Sequence, residues 1–577
     1  MVPDLGWSIY CKGGLKIEPL KIYLGNWQFN AGLVGFINII NHYDKKSIII
    51  KNDYIEFTEE CLENFSEKYF NYLSDTYVSY TSWYKITSYE DFINNYEDND
   101  YSNFDEKSLE YLNHYIRDIL KKYLKSNSYK AAYELISSNL DIMEIEKKLS
   151  PVKIKKEENI ENVLPDVKKQ IRLIKEATEF LNRDDAKKYI LGKNVMYQFI
   201  KNSWSGVSFL NSQTKEKNFY QDYNQHFVNP VLEYLGADKQ KYKFECFICD
   251  SKMKDMSNTL GFLNHTGFDT SRKASHAWNF SNDIAICDVC KLIYSCMPAG
   301  ITYAYDKGIF VNDNSSIKNL IKINSNLKTR ILSYDASEKS TNTYRALVNS
   351  FEQQYDEKLK YELADIQVVR YERISPDKDR YMFNILSKTI IKVIINSKKY
   401  LDSLTKTSYR ENGNNVNIYE ETINRLFSNQ NMYTLIHRCI VYKNGNPREN
   451  YFNGTHIINL IRINIEYLKG VGYLDKYGLD IANEGNRQGY FLKSAYIEKN
   501  SVDKVDGICY RLMNALKTSN IHSFMDTLIN CYLYVKKPVP KIFIDTFKDE
   551  DVFKNVGYAF VSGLTVEVKE KDNKEGK

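Results

Sequence analysis

The feature that most constrains this chain is a pair of Cys-x-x-Cys turns near mid-sequence, Cys246-Phe-Ile-Cys249 and Cys287-Asp-Val-Cys290. Such a turn aims two thiolates at one point, and two turns complete the tetrahedral four-sulfur shell that Zn²⁺ prefers. Thirty-seven residues lie between the pairs, more than the roughly fifteen to twenty of a compact ribbon. That intervening segment carries His265, Arg272, Lys273, His276 and Trp278, so the spacing is that of a clip closing a long functional loop. Two unrelated thiol pairs, or a redox dithiol, are the alternatives the spacing leaves open. Hydrolytic zinc generally keeps three protein ligands and an open position, so four cysteines point to a structural ion. His265 and His276 read as loop or core residues rather than ligands, and Cys296 as a small buried side chain.

The rest of the chain sets the context for that clip. A length of 577 residues suggests two to four domains. With 43% hydrophobic and 27% charged residues, the composition is that of a soluble globular protein. The longest weakly polar run, Ala31 to Ile40, is too short to span a bilayer. The start, Met-Val-Pro-Asp-Leu, lacks the basic opening and apolar core of a signal peptide, so a cytoplasmic location and no membrane contact are expected. Six further cysteines sit at no framework spacing, and in a reducing compartment tight thiol pairs are metal ligands rather than disulfides. Net charge is only +5, but it is unevenly placed. Residues 56–110 hold fourteen Asp+Glu against three Lys, a local net of −11, whereas residues 386–470 hold twelve Lys+Arg against six Asp+Glu, a net of +6. Such asymmetry is the footprint of a chain that tracks phosphates in one region, or simply of solvated faces of opposite sign.

Taken in order, the pattern predicts a predominantly helical α+β chain. Gly25 to Phe36 combines three glycines with Trp27 and Phe29, and Leu33, Phe36, Ile37 and Ile40 follow at helical spacing. Ile48–Ile50 and Tyr54–Phe57 flank Asn52-Asp53 as a hairpin. Leu109, Leu112, Ile116, Ile119 and Tyr123 form one helical stripe, and Pro165 is expected to open another helix. Residues 301–305 and 309–311 read as a strand pair. Beyond about residue 340 the segments become amphipathic helices separated by Asn-Gly connectors such as Asn412 to Asn415. The expected division is therefore a mixed α/β region at 1–340 with a four-cysteine, zinc-ribbon-like insertion at 244–300, an all-α helical bundle at 341–565, and a flexible tail at 566–577.

Several chemistries are missing. No Gly-x-x-x-x-Gly-Lys-[Ser/Thr] loop, His-Glu-x-x-His or Gly-x-Ser-x-Gly occurs. Pro165-Asp166 and Glu567-Val-Lys569 could be forced into a metal-nuclease pattern, but they lie about four hundred residues apart and the second is in the tail. The chain is expected not to be an enzyme; the rival reading is a stand-alone metal-dependent nuclease or nucleic-acid-modifying enzyme with a zinc-ribbon accessory.

Four segments together carry a resemblance. They are Asn26-Trp-Gln-Phe-Asn-Ala-Gly-Leu-Val-Gly35, the cysteine segment from Cys246 through Gly267-Phe-Asp-Thr-Ser-Arg-Lys-Ala-Ser-His-Ala-Trp278 to Cys296, Gly308-Ile-Phe-Val-Asn312, and Gly557-Tyr-Ala-Phe-Val-Ser-Gly-Leu564. In them the chain resembles the CRISPR-associated CXXC–CXXC family, large subunits of type I-B Cascade complexes. The resemblance implies a non-catalytic subunit of an RNA-guided surveillance complex. Such a subunit helps recognise the protospacer-adjacent motif, supports strand separation and presents the target to a separate helicase–nuclease. Implied partners are crRNA, double-stranded target DNA and its displaced strand, and the backbone and crRNA-end-binding subunits. A small subunit translated from the chain's own C-terminal region is also implied, with Met382 and Met432 as possible starts. In RNA-guided targeting, base pairing reads the sequence while protein reads a short duplex motif and nucleic-acid shape. Under that division Asn30, Arg272, Lys273 and Asn312 are candidates for groove or phosphate contacts, and Trp278 for a stacking wedge. Lys392, Lys398, Lys399, Arg425, Arg438 and Arg462 are candidates for contacts to a single-stranded backbone.

Overall fold

The computed structural model describes residues 19–137, 140–154, 159–266, 284–304, 306–333, 345–349, 366–375, 378–445, 450–473, 478–546 and 549–566. The chain forms two compact units, one from residues 1–324 with 370–382, the other from 325–369 with 383–577. The change of unit therefore falls inside the helix Ile317–Ser333 rather than near residue 340, and the tip of the hairpin formed by strands Ile366–Ser375 and Lys378–Leu386 belongs with the first unit.

The first unit is built around the helix Trp27–Tyr43, twelve of whose seventeen residues are buried. Asn26 caps it, its Oδ1 accepting from the Phe29 N–H at 2.9 Å, which satisfies one of the amides a helix start leaves unpaired. Leu33, Phe36, Ile37 and Ile40 all lie in the core. Beside this helix a three-stranded antiparallel sheet forms, Leu20–Tyr23 and Ile48–Ile50 both pairing with Tyr54–Phe57. The register Ile48↔Phe57 and Ile50↔Ile55 is that of the expected hairpin. A second core, running in sequence from Trp83 to Leu191, is built from helices and the turns that join them. Here the expected single stripe breaks into Glu106–His114, a π-helical turn Tyr115–Leu120 and Lys121–Leu124. A π turn adds a residue to the repeat and re-aims the face that follows it. The helix opposite, Ile160–Asn182, starts five residues before Pro165 and holds that proline within it.

The second unit is a helical bundle that also holds the base of that first hairpin, residues 366–369 and 383–386, and carries one addition of its own. Its central helix, Glu550–Leu564, buries every residue from Val552 to Leu564 except Lys554, and packs along Asp480–Glu498. A β-carbon added at Gly489 would lie 2.0 Å from the Phe560 carbonyl oxygen, and one at Gly563 2.0 Å from that of Asn486. The two backbones meet where only hydrogen fits. The addition is a two-stranded hairpin, Ser408–Glu411 with Asn414–Asn417. Its turn residues Asn412 and Gly413 sit at φ +52° and +81°, so this Asn-Gly pair turns a hairpin rather than linking two helices.

Candidate metal centre

The four cysteines reach one point from two different local structures. Phe244–Glu245 and Lys252–Met253 pair as a short antiparallel ribbon, and the Cys246–Cys249 knuckle caps it. Asp250 closes the knuckle at φ +57°, with its N–H donating to the Cys246 carbonyl and the Cys246 N–H donating to Ser251 O, both at 2.9 Å. The second pair sits at a helix start. Cys287 is the cap of helix Asp288–Ser295, and Cys290 lies in its first turn, where the unpaired amides and the positive end of the helix dipole favour thiolate. The site is thus half ribbon and half helix terminus.

All four sulfur atoms lie within 4.8 Å of one another, with Cys249 Sγ and Cys287 Sγ at 3.6 Å. A tetrahedron with metal–sulfur bonds of 2.3 Å has edges of about 3.8 Å, so the thiols already stand at coordination spacing. Backbone amides point at the sulfurs: Cys287 N–H donates to Cys246 Sγ at 3.2 Å, Ile248 N–H to the same atom at 3.5 Å, and Cys290 N–H to Cys287 Sγ at 3.5 Å. Three of the cysteines are buried and Cys249 is exposed. Hydrogen bonding from Cys249, Cys287 and Cys290 pulls the Cys246 thiol far below its ordinary range. Cys249 is raised by Cys246 but lowered more by Cys287 and Cys290, to about 7. Cys287 and Cys290 are pushed up, chiefly by the sulfurs of Cys246 and Cys249. Four sulfurs this close share protons rather than ionise together, and a divalent cation that replaces those protons resolves the conflict. The donor set fits a soft, tetrahedral ion; Cys246, Cys249, Cys287 and Cys290 would hold it, leaving no position for a reacting water.

What the metal helix holds is legible in its packing. An added β-carbon at Gly32 would lie 2.2 Å from Ile293 O, at Gly35 1.9 Å from Cys296 O, and at Gly300 1.9 Å from Ala31 O. Helix Trp27–Tyr43 is therefore in direct backbone contact with the segment that follows the second cysteine pair. Ser295 anchors it further: its carbonyl accepts from Tyr69 Oη at 3.0 Å and Trp204 Nε1 at 2.9 Å, and its hydroxyl meets Tyr223 Oη at 2.7 Å. Cys296 is fully buried, its thiol pushed up to about 12 by burial, as a packing residue should be. A brace missed in the sequence is Asn258, whose carbonyl accepts from the Ile286 N–H at 2.9 Å while its side chain bonds Asp288 Oδ1 at 2.7 Å and Lys291 Nζ at 3.1 Å. No motif marks it, because it is joined to the cysteine helix only by the fold. These residues also line an open cleft of about 490 Å³ with His226, Tyr234 and Met253.

Of the nucleic-acid candidates, Asn30 is fully buried. Its Oδ1 accepts from the Gly25 N–H at 2.8 Å, and its Nδ2 lies 3.0 Å from Gly25 O, 2.8 Å from Asn312 Oδ1 and 2.7 Å from Asn314 Oδ1. Asn30 and Asn312 are thus partners of each other inside the first unit. Arg272, Lys273, Trp278 and the neighbouring His276 lie outside the described residues. In the second unit Lys392 and Lys399 are exposed, Lys399 lying over Tyr400, and Lys398 is half-buried. Arg425 pairs with Glu421 at 3.0 Å and Arg438 with Glu411 at 3.6 Å. Arg462 donates to Asn459 at 2.8 Å and Asn483 at 2.6 Å.

Fold and site define a class: a predominantly helical α+β protein whose first unit brings four cysteines together at a spacing that could hold a metal ion. Residues 239–302 match the family described as CRISPR-associated protein (Cas_CXXC_CXXC). Over that segment the chain is similar to the CRISPR-associated CXXC–CXXC family. No curated protein and no solved structure matches the chain. Among the described residues no helix is long and apolar enough to cross a membrane.

Proposed function

We propose that the chain is the non-catalytic large subunit of a type I-B CRISPR RNA-guided DNA surveillance complex, with a structural Zn²⁺ at its four cysteines. In this role it reads the adjacent motif of target duplex, aids strand separation and recruits a separate helicase–nuclease. The observation that carries the proposal is the joining of three resemblance segments in one core. Gly32 and Gly35 of the first touch the backbone of the cysteine helix of the second, and Asn30 bonds Asn312 of the third. A metal that fills all four positions with sulfur and fixes such a core serves architecture, not hydrolysis.

The supporting chemistry is division of labour: guide RNA supplies sequence specificity, while protein supplies shape and phosphate recognition. The surplus of cations in residues 386–470 suits contact with a displaced single strand. The decisive experiment is isolation of tagged protein from its native host with sequencing of the bound RNA. Recovery of crRNA together with repeated backbone subunits is expected; neither in the eluate would sink the proposal. The rival nuclease reading requires divalent-metal-dependent cleavage by the isolated chain that a single carboxylate substitution abolishes.

A further inference from the structure

A second charged surface lies in the first unit, on residues assigned no role so far. Helix Ile160–Asn182 carries Lys168, Lys169, Arg172 and Lys175, and with Tyr101 and Glu97 they line an open groove of about 560 Å³. Lys168, Arg172 and Lys175 follow at i, i+4 and i+7, one stripe of the helix, with Lys169 beside it. The run covers about 10 Å at 1.5 Å per residue, roughly three phosphate-to-phosphate steps along one strand. Glu176 and Glu179, both exposed, end the cationic stretch on the C-terminal side.

Two of the four cations face carboxylates within the chain and two do not. Lys175 pairs with Glu97, and Lys168 lies 3.9 Å from Asp100, a carboxylate 98% exposed. Lys169 and Arg172 are exposed and meet no carboxylate or other partner among the described residues. Elsewhere in this unit the half-buried Lys188 and the exposed Lys217 pair with Glu67 and Glu134, each at 2.7 Å. The groove is also a cationic island beside the most acidic stretch of the chain, residues 56–110.

The opposite wall is held in an unusual backbone. Asp100 and Tyr101 both have left-handed φ, +45° and +61°, a conformation that is an outlier for a residue as bulky as tyrosine. The Tyr101 N–H donates to Tyr96 O at 2.7 Å and the Asp100 N–H to Glu97 O at 2.9 Å, which fixes the turn at the end of helix Glu90–Asp98. Tyr101 is thereby pinned under Lys168, whose ammonium stands 4.7 Å from the ring centroid. Strain of this kind persists where the surroundings impose it, and it gathers at ligand sites.

We infer that this groove binds the phosphodiester backbone of a nucleic acid, with Lys169 and Arg172 as its free phosphate contacts and Lys168, held on Tyr101, as a third. The inference rests on the nucleic-acid-binding function proposed above and adds a surface to it. An arginine and a lysine one turn apart suit two neighbouring phosphates: the guanidinium forks onto phosphate oxygens while the ammonium acts as a point charge.

The test is fluorescence anisotropy of the full-length protein with a 30-nucleotide single-stranded DNA, its duplex and the RNA of the same sequence, each titrated from 50 to 200 mM salt. Lys169→Ala/Arg172→Ala is compared with Arg117→Ala/Lys217→Ala. The control pair removes the same charge from residues already matched with Asp118 and Glu134. Each lost phosphate contact lowers the log–log salt slope by about 0.9 on duplex and about 0.7 on a single strand. The groove variant should therefore lose about 1.8 or 1.4 from its slope, with unchanged melting temperature, while the control keeps the wild-type slope. The arm that shows the loss names the source of the backbone. A wild-type slope in the groove variant on all three probes overturns the groove while leaving the proposed function standing. No salt-dependent binding by the wild-type protein to any probe overturns both.

Discussion

At the scale of single residues, the cysteines are bound to the fold by more than their spacing. Cys246 Sγ is the acceptor for two backbone amides, and Cys287 is at once a ligand and the cap of the helix that carries Cys290. Replacing either by serine removes a soft ligand and leaves three crowded thiols in place. Cys246→Ser and Cys287→Ser are each expected to lose bound metal and to destabilise the first unit by more than about 4 kcal/mol, the range of lost metal or broken core. Elemental analysis with thermal melting checks this, and unchanged metal content in both variants would refute the clip. The outer candidates behave differently. Asn30 looked from its neighbours like a ligand reader, yet its four hydrogen bonds are internal, because a polar side chain buried in a helix this apolar must find its partners inside. Sequence could mark Asn30 and Asn312 as notable but not show that they face each other from opposite ends of the unit's chain.

At the scale of elements, close backbone approach decides the packing of both units. The junction of Gly32 and Gly35 with Gly300 admits no methyl group, since each added β-carbon would stand 1.9–2.2 Å from a carbonyl oxygen. Gly35→Ala is expected to cost about 1–3 kcal/mol as the helices separate and to weaken metal retention as well, because the displaced segment begins at Cys290. Denaturant melts with and without chelator measure both. Gly32 and Gly35 were visible in the sequence within a glycine-rich stretch, but neither Gly300 nor the surface they meet was. Hairpins at 48–57 and 302–312 were legible for the same local reason that the one at 408–417 was misread. Apolar runs flank the first two, whereas polar Asn414-Asn-Val-Asn417 hides a strand. A third element gives a pH test. His456 completes the cap of helix Gly454–Gly470, its Nδ1 accepting from the Asn453 N–H at 2.9 Å. Burial holds its pKa below the ordinary 6.5. The neutral ring is the folded form, so its contribution is intact above about pH 6.5 and is lost as pH falls below that, where the unfolded chain takes the proton first. His456→Gln keeps an acceptor at the same position and should flatten the acid-side decline, read from denaturant melts at pH 7.5 and 5.5. Equal pH dependence in both proteins would show that the cap does not titrate.

At the scale of the whole molecule, the metal and the two compact units make separable claims. The predominantly helical α+β character was apparent from periodicity, but strands at 366–386 and 408–417 stand where helices alone were expected. The chain changes unit within the helix Ile317–Ser333 and sends residues 370–382 back to the first unit, an exchange no local composition signals. The cysteine centre lies wholly in the first unit, and metal binding to a site that does not exist in the unfolded chain is folding free energy for the structure around it. Chelation should therefore act unequally. Hydrogen exchange of the full-length protein, with and without a thiol-competitive chelator, is expected to accelerate in helices Trp27–Tyr43 and Asp288–Ser295, which share the glycine junction. Helices Asp480–Glu498 and Glu550–Leu564 close on their own glycine contacts and should keep their protection. Acceleration spread evenly over both pairs would mean that the ion stabilises the chain as one cooperative body. No acceleration in the first pair would mean that the core around Ser295 stands without it, and that the four thiols are held in place by the fold they were expected to secure.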